Sequence, residues 1–181
     1  MEELITNNDD GNIKKGFFVP QPTEKKSNKR ILVFGTFDII HPSHLRFLLE
    51  ARNAVNCQEC DLVVIVARDS SIQRIKGHKP IFNEEERLKL ICGLRLVDSA
   101  RLGNEGKDHY DVILEVDPDY IILGYDQVPN DQPLRDFIQK HNLDIEVARL
   151  PKFESGDLSS SSEVREKVLE INNEKNKEKK H

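Results

Sequence analysis

Between residues 30 and 171 the chain alternates short apolar runs of strand length with segments in which apolar residues recur at helical spacing. The runs 31–34 and 120–123 are wholly apolar or nearly so, and 61–67 is close to it, as in strands buried on both faces of a parallel sheet. Segment 83–96 instead repeats apolar residues every three positions, as a helix with one buried face does. This alternation predicts a single α/β domain built on a doubly wound parallel sheet.

The predicted elements fill the middle of the chain and leave both ends outside the fold. They are strand 30–34, helix 42–55, strand 61–67, helix 69–75, helix 83–96, strand 98–102, helix 108–115, strand 120–123, helix 133–141, strand 144–148 and helix 162–171. Residues 1–28 are polar and mixed in charge, which predicts a disordered leader. Residues 172–181 read as a charged tail, so the predicted domain is 29–171.

Composition excludes several classes of protein. The 181 residues carry a formal net charge of -5, which argues against a nucleic-acid-binding surface. No stretch approaches the roughly 18 apolar residues of a membrane span, and the N-terminus lacks the pattern of a signal peptide. These two observations predict a soluble cytoplasmic protein, and the odd set of three cysteines points to free thiols in a reducing compartment. Cys57 and Cys60 form a C-x-x-C pair, but no second pair completes a zinc site.

The segment 35–44, GTFDIIHPSH, joins the first strand to the first helix. Gly35 provides a tight turn at which a backbone can approach a ligand closely. His41 and His44 fall at the start of the helix, where unpaired N–H groups and the helix dipole favour anions. Imidazole N–H groups add further donors toward phosphate oxygens. The segment therefore predicts a site for a nucleotide triphosphate.

Two other polar clusters follow predicted strands, at 67–69 and 124–126. In open α/β sheets, ligands bind beyond the carboxyl ends of the strands. We therefore expect these clusters and segment 35–44 to meet at one edge of the sheet.

Segment 35–44 resembles the signature of the cytidylyltransferase-like nucleotidyltransferases, which have a Rossmann-like fold. The resemblance extends over residues 29–171 and includes the serine-rich segment 159–165 and the basic segment 74–80. By itself a serine run is more often a helix N-cap in a linker. The resemblance implies that segment 35–44 holds the triphosphate and that segment 159–165 binds its β- and γ-phosphates.

The same resemblance implies a role for each matching residue. The residues implied to be catalytic are His41, His44 and Lys76. The residues implied to bind the nucleotide are Gly35, Thr36, Phe37, Asp38, Gly124, Asp126, Ser160, Ser161, Ser162 and Arg165. A third set is predicted to bind a substrate and consists of Arg68, Asp69, Arg87 and Tyr125. Solvated surface charge is the alternative for Arg87.

The implied reaction is attack by an acceptor phosphate on the α-phosphorus of the nucleotide, with pyrophosphate leaving in line. A phosphate with a second pKa of about 6 is already ionised near neutral pH, so no general base is needed. Catalysis is then positioning and charge stabilisation, without a covalent enzyme intermediate. Mg²⁺ is expected to arrive with the nucleotide and keep several waters, without a metal site on the protein.

Segments 64–69, 76–81 and 123–127 most resemble the archaeal FAD synthases, which transfer AMP from ATP to FMN. The nearest rival is a CTP-dependent cytidylyltransferase acting on glycerol phosphate or a phosphorylated amino alcohol, with pantetheine-phosphate adenylyltransferase as a weaker third. The cytidylyltransferases usually carry an arginine and threonines in their late motif, which segment 154–161 lacks. An alternative of another class is a catalytically silent nucleotide-binding module. The expected partners are small molecules, and a homodimer is left open.

Overall fold

The computed structural model of the chain describes residues 28–57, 59–106, 109–127, 130–153 and 160–178. Within this part, five strands and six helices follow one another along the chain. They are β1 (Lys29–Gly35), α1 (Pro42–Asn53), β2 (Cys60–Val66), α2 (Asp69–Lys76), α3 (Glu84–Cys92), β3 (Ser99–Leu102), α4 (Asp111–Val116), β4 (Tyr120–Leu123), α5 (Gln132–Lys140), β5 (Glu146–Arg149) and α6 (Ser161–Glu178).

The strands form one parallel sheet in the order β3-β2-β1-β4-β5. The chain moves outward from β1 to β2 and β3, then crosses back to β4 on the other side of β1. This reversal creates a topological switch point between β1 and β4, where ligands of such folds bind. The predicted α/β doubly wound sheet is confirmed.

Alternate residues of β1 enter two different cores. Ile31 and Val33 pack with Leu48 of α1 on one face of the sheet. Leu32 packs with Val112 and Val116 of α4 on the other face. Because both faces are covered by helices, neither face of the central strand tolerates polar residues, which explains the uninterrupted apolar run in the sequence.

The observed bounds of most elements lie within a few residues of the predicted ones, and β4 has the bounds predicted. Helix α3 ends at Cys92, before Gly93, whereas the prediction continued to residue 96. Helix α6 continues to Glu178, so residues 172–178 of the predicted charged tail are helical. The predicted leader lies outside the described residues except for Asn28, which donates a hydrogen bond to Asp61 (3.1 Å).

The prediction of three free thiols is wrong for one pair. Cys57 and Cys60 form a disulfide across the turn between α1 and β2, with their Cα atoms 5.9 Å apart. Cys92 remains a free thiol, and burial raises its pKa. The prediction of a reducing compartment rested on free thiols, so the disulfide removes that argument. The C-x-x-C spacing alone did not distinguish a disulfide from two thiols. No helix in the described segments has the length and apolarity to cross a membrane.

Candidate nucleotide site

A cavity of about 750 Å³ lies at the carboxyl edge of the sheet. Residues that follow each of the five strands line it, among them Thr36, Ala67, Gly103, Gly124 and Leu150. The N-termini of α1 and α6 border it as well. The three polar clusters expected to meet at one edge therefore do meet there.

Most of the predicted site residues line this cavity. They are Gly35, Thr36, Phe37, Asp38, His41, His44, Arg68, Lys76, Gly124, Tyr125, Asp126, Ser160, Ser161, Ser162 and Arg165. Asp69 and Arg87 are not part of the lining. The lining places the other predicted residues around one space, and their individual roles stay predictions.

The turn after β1 has a structural reason for its glycine. A Cβ on Gly35 would lie 2.4 Å from Cε2 of Phe37, whose ring is buried beneath the turn. Phe37 and Ile39 have positive φ angles of 52° and 53°, a strained conformation for residues with a side chain. The Phe37 ring centroid is 5.3 Å from that of His44. Gly35 thus admits the Phe37 ring that supports His44, rather than serving only as a close approach to ligand.

The rings of His41 and His44 are stacked, with centroids 3.8 Å apart. Burial, the neighbouring His41 and the charge of Lys76 together lower the pKa of His44 to about 3. Burial also lowers the pKa of His41. Both imidazoles are therefore neutral at pH 7 in the unliganded protein, and each retains one N–H donor. Neither Nδ1 atom has a hydrogen-bond partner within the described residues, although both atoms are buried.

Asp38 directs its carboxylate into the protein. The carboxylate accepts hydrogen bonds from the backbone N–H groups of Ile81 (3.0 Å) and Phe82 (3.1 Å) and pairs with the Arg165 guanidinium. Its backbone oxygen accepts a bond from the Ser161 hydroxyl. Asp38 therefore ties the 35–44 turn to α6 and to the loop before α3, and these contacts occupy the side chain that was predicted to bind nucleotide.

Helix α6 begins with a reciprocal cap. The Ser160 N–H donates to Glu163 Oε2 (2.9 Å), and the Glu163 N–H donates to Ser160 Oγ (3.2 Å). Arg165, in the first turns of α6, leaves its buried Nε without a partner in the part of the chain described. With the Nδ1 atoms of His41 and His44, it makes three buried nitrogen atoms at the cavity wall without a partner among the described residues. Buried polar groups are rarely left unsatisfied, and a polar ligand in the cavity is one source of such partners.

Arg87 is neither a surface charge nor part of the cavity. Its side chain is 0% exposed and donates to the carbonyl oxygens of Thr36 (2.6 Å), Ala67 (2.7 Å) and Phe82 (3.0 Å). It also pairs with Asp69 Oδ1 at 2.7 Å. Arg87 thus joins the ends of β1 and β2 from beneath, and the alternative of a solvated charge is wrong.

A second charge network fixes the neighbouring wall. Arg68 donates to Glu84 Oε1 (2.7 Å) and to the carbonyl oxygen of Gly103 (2.7 Å). The Asp69 N–H donates to Glu84 Oε2 (2.8 Å), and the Glu84 N–H donates back to Asp69 Oδ2 (3.2 Å). Sequence analysis missed Glu84, because it is one of three consecutive glutamates and nothing in the sequence distinguishes it from its neighbours.

The loop after β4 is anchored through Gln127. Its side chain donates to the carbonyl oxygen of Phe34 (2.7 Å) and accepts from the Gly124 N–H (3.1 Å). The exposed ring of Tyr125 lies beneath Lys152, whose Nζ is 5.6 Å from the ring centroid. Lys152 and Arg74 also line the cavity. Sequence analysis included Arg74 in the basic segment 74–80 without assigning it a role, and did not identify Lys152.

The cavity is basic although the chain is acidic. Five lysines and arginines line it, namely Arg68, Arg74, Lys76, Lys152 and Arg165, against two aspartates, Asp38 and Asp126. The chain as a whole has a net charge of -5. A basic cavity bordered by two helix N-termini on a doubly wound sheet suits a polyanionic ligand such as a nucleotide. Fold and site together define a Rossmann-like nucleotide-binding protein.

A sequence model of the family described as cytidylyltransferase-like matches residues 32–167. The chain belongs to this family. A relative named FAD synthase from Methanohalophilus mahii is 44% identical over 141 residues, which are 78% of this chain and 94% of the relative. An FAD synthase from Thermoplasma volcanium is 42% identical over 142 residues, 78% of this chain and 95% of the relative.

One solved structure is similar at comparable identity. It is described as the lipopolysaccharide core biosynthesis protein from Thermoplasma volcanium GSS1. It is 40% identical, has a TM-score of 0.62, and aligns with 70% of this chain and 98% of its own. The match supports the Rossmann-like fold and the family assignment.

Proposed function

We propose that this protein is an FAD synthase, a nucleotidyltransferase that transfers AMP from ATP to FMN and releases pyrophosphate. One observation carries the proposal: relatives that bear the name FAD synthase match this chain at 42–44% identity over nearly their whole length. The basic cavity supports it, because it suits the phosphates of both substrates. The cytidylyltransferase alternatives are not favoured by these relatives.

The arrangement of the site suits this chemistry. The phosphate of FMN attacks the α-phosphorus of ATP, and pyrophosphate leaves on the opposite side. His41 and His44 at the start of α1, with Lys76 beside them, would stabilise the charge that develops on the transferred phosphoryl group. Arg165 and the start of α6 would hold the departing pyrophosphate. The loop from Gly124 to Asp126 would position the nucleoside.

We also propose that Mg²⁺ enters with the triphosphate. Within the segments described, no three His, Cys, Asp or Glu side chains are grouped as a metal site. The cavity lining includes two carboxylates, Asp38 and Asp126. Bound to phosphate oxygens and water, the ion would neutralise part of the triphosphate charge. A cytoplasmic location and a homodimer remain proposals, the first supported by the use of ATP and the second by the family resemblance alone.

The direct test is to incubate the purified full chain with Mg²⁺, FMN and either ATP or CTP, and to separate products by chromatography. FAD and pyrophosphate formed from ATP would support the proposal. Pyrophosphate released from CTP only with an alcohol phosphate would move the protein to the cytidylyltransferases. ATP binding without pyrophosphate release would identify a silent binding module.

A further inference from the structure

One wall of the cavity presents an isoleucine to solvent. Ile72 and Ile75 of α2 both line the cavity, but Ile72 is 3% exposed whereas Ile75, nearly one turn later, is 75% exposed. Burial of an isoleucine side chain away from water is favourable, so an exposed one is available to stabilise a bound apolar group. Its position in the cavity makes that group part of a ligand.

Two cations flank Ile75 along the chain and also line the cavity. Successive helical residues are about 100° apart, so Arg74 and Lys76 project to opposite flanks of the cavity-facing strip of α2. Lys76 lies on the side of His44, whose pKa it lowers. The other arginines of the cavity have carboxylate partners, Glu84 for Arg68 and Asp38 for Arg165. Arg74 has no ion pair or hydrogen bond among the described contacts.

The topology assigns this wall to the acceptor, an assignment that rests on the proposed function. Residues that follow β4 and β5 would hold the nucleoside, and α6 would hold the pyrophosphate. In-line displacement brings the acceptor to the α-phosphorus from the side opposite the leaving group. The part of the cavity left for the acceptor follows β2 and β3, on the other side of β1, and α2 forms its wall.

We propose that α2 recognises FMN along three consecutive residues. Lys76 faces the reacting phosphate, Ile75 packs against the planar flavin ring, and Arg74 donates to the carbonyl oxygens at the far edge of that ring. The phosphate, the apolar ring and the carbonyl edge of FMN thus follow one another in the same order as Lys76, Ile75 and Arg74 across the helix. The helix dipole favours both cations near the C-terminus of α2 but gives no reason for an isoleucine between them to line the cavity.

The test uses two substitutions on this wall in the full chain, Ile75→Ser and Arg74→Gln. We expect each to raise the KM for FMN by about tenfold, as loss of a pocket contact does, while kcat and the KM for ATP stay near wild type. Matched controls are Leu90→Ser, an exposed apolar residue on α3, and Arg95→Ala, an exposed arginine, neither of which lines the cavity. Melting temperatures of all four variants check the fold.

A second measurement separates this inference from the proposed function. FMN is titrated into each protein without ATP, and binding is followed by flavin fluorescence. If the wild type makes FAD and neither wall variant has a changed KM for FMN, the inference is overturned and the proposed function stands. If the KM for ATP rises in the variants as much as the KM for FMN, α2 belongs to the nucleotide site and the inference is also overturned. If the wild type makes no FAD, weaker FMN binding by Ile75→Ser still supports the wall, and no FMN binding by the wild type refutes it.

Discussion

Burial and a bound phosphate would shift the pKa of His44 in opposite directions. Burial and its neighbours keep the imidazole neutral, with a pKa of about 3. A phosphate dianion beside it would favour the protonated form and raise that pKa. The Phe37 ring against which it packs fixes its orientation before the nucleotide arrives. Such preorganisation is what makes one donor effective against charge that develops in a transition state.

If His44 stabilises the transferring phosphoryl group, His44→Ala should lower kcat for FAD formation by about 100-fold or more. The KM for ATP should change much less, because the ground state retains Arg165 and both helix N-termini. Steady-state kinetics at saturating FMN measure both constants. His141→Ala, on an exposed histidine at the end of α5, is the matched control. Near-normal turnover in His44→Ala would remove this residue from the mechanism.

The same pKa predicts how stability depends on pH. An unfolded His44 titrates near 6.5, whereas the folded one stays neutral until about pH 3. Between pH 6.5 and about pH 3 the unfolded chain binds a proton on His44 that the folded chain does not. This histidine's contribution to the free energy of unfolding is therefore complete above pH 6.5 and decreases as the pH falls toward 3. Urea unfolding of His44→Asn should show a pH slope shallower by up to about 1.4 kcal/mol per pH unit. Parallel slopes for variant and wild type would contradict the burial of this histidine.

Buried and half-buried charged side chains connect the loops at the strand ends, and these connections hold the site elements in place. Arg87 of α3 fixes the ends of β1 and β2, while Glu84 at the start of α3 holds Arg68 and, through it, the end of β3. Asp38 links the same region to α6. A helix with no side chain in the cavity lining, α3, therefore positions three of the loops that form it.

The turn after β1 gives a prediction at this scale. Gly35→Ala would force the Cβ against the buried Phe37 ring, which should lower the free energy of unfolding by about 1–3 kcal/mol and displace His44. Gly93→Ala is the control, because its Cβ would meet nothing nearer than 3.5 Å and its φ of -77° suits alanine. Denaturant unfolding of both variants makes the comparison. Equal stability would show that the Phe37 ring moves aside at no cost.

Across the whole molecule, the sequence predicted what depends on local pattern and order along the chain. The bounds of β4 were predicted because a doubly covered strand is apolar at every position. The edge at which the site lies followed from the alternation of strands and helices. Residues whose partners come from distant segments were not predictable. Asp38 meets Arg165 across 127 positions, and Arg87 is buried by carbonyl groups from three separate loops.

Helix α6 and the disulfide show that local sequence can also leave a structural choice undecided. The sequence of residues 172–178 predicts solvated charge, because nothing in it reveals that α6, which is capped by Ser160 and begins at Ser161, continues through them. The C-x-x-C spacing is compatible with thiols, a metal half-site or a disulfide, and only the turn between α1 and β2 brings the two sulfur atoms together. Local sequence restricts such choices without deciding them.

The extent of the relatives leads to a prediction for the complete chain. The 141 residues matched in the Methanohalophilus mahii FAD synthase make up 94% of that protein, and the family match here begins at residue 32. Little beyond the domain is therefore needed for the proposed activity. Deleting residues 1–27, which retains Asn28 and its bond to Asp61, should leave kcat/KM within about twofold of wild type. Activity and melting temperature of the truncated chain are the measurements.

A deletion of residues 1–34 is the contrasting control, because it removes all but the last residue of β1, the strand paired with β2 on one side and β4 on the other. That chain should fail to fold, since each core cluster would lose its central strand. A large loss of activity already on removal of residues 1–27 would show that the leader contributes to the domain or to the site. In that case this protein would differ from its relatives in what completes its fold, and its leader would have to be added to the catalytic unit that the family match defines.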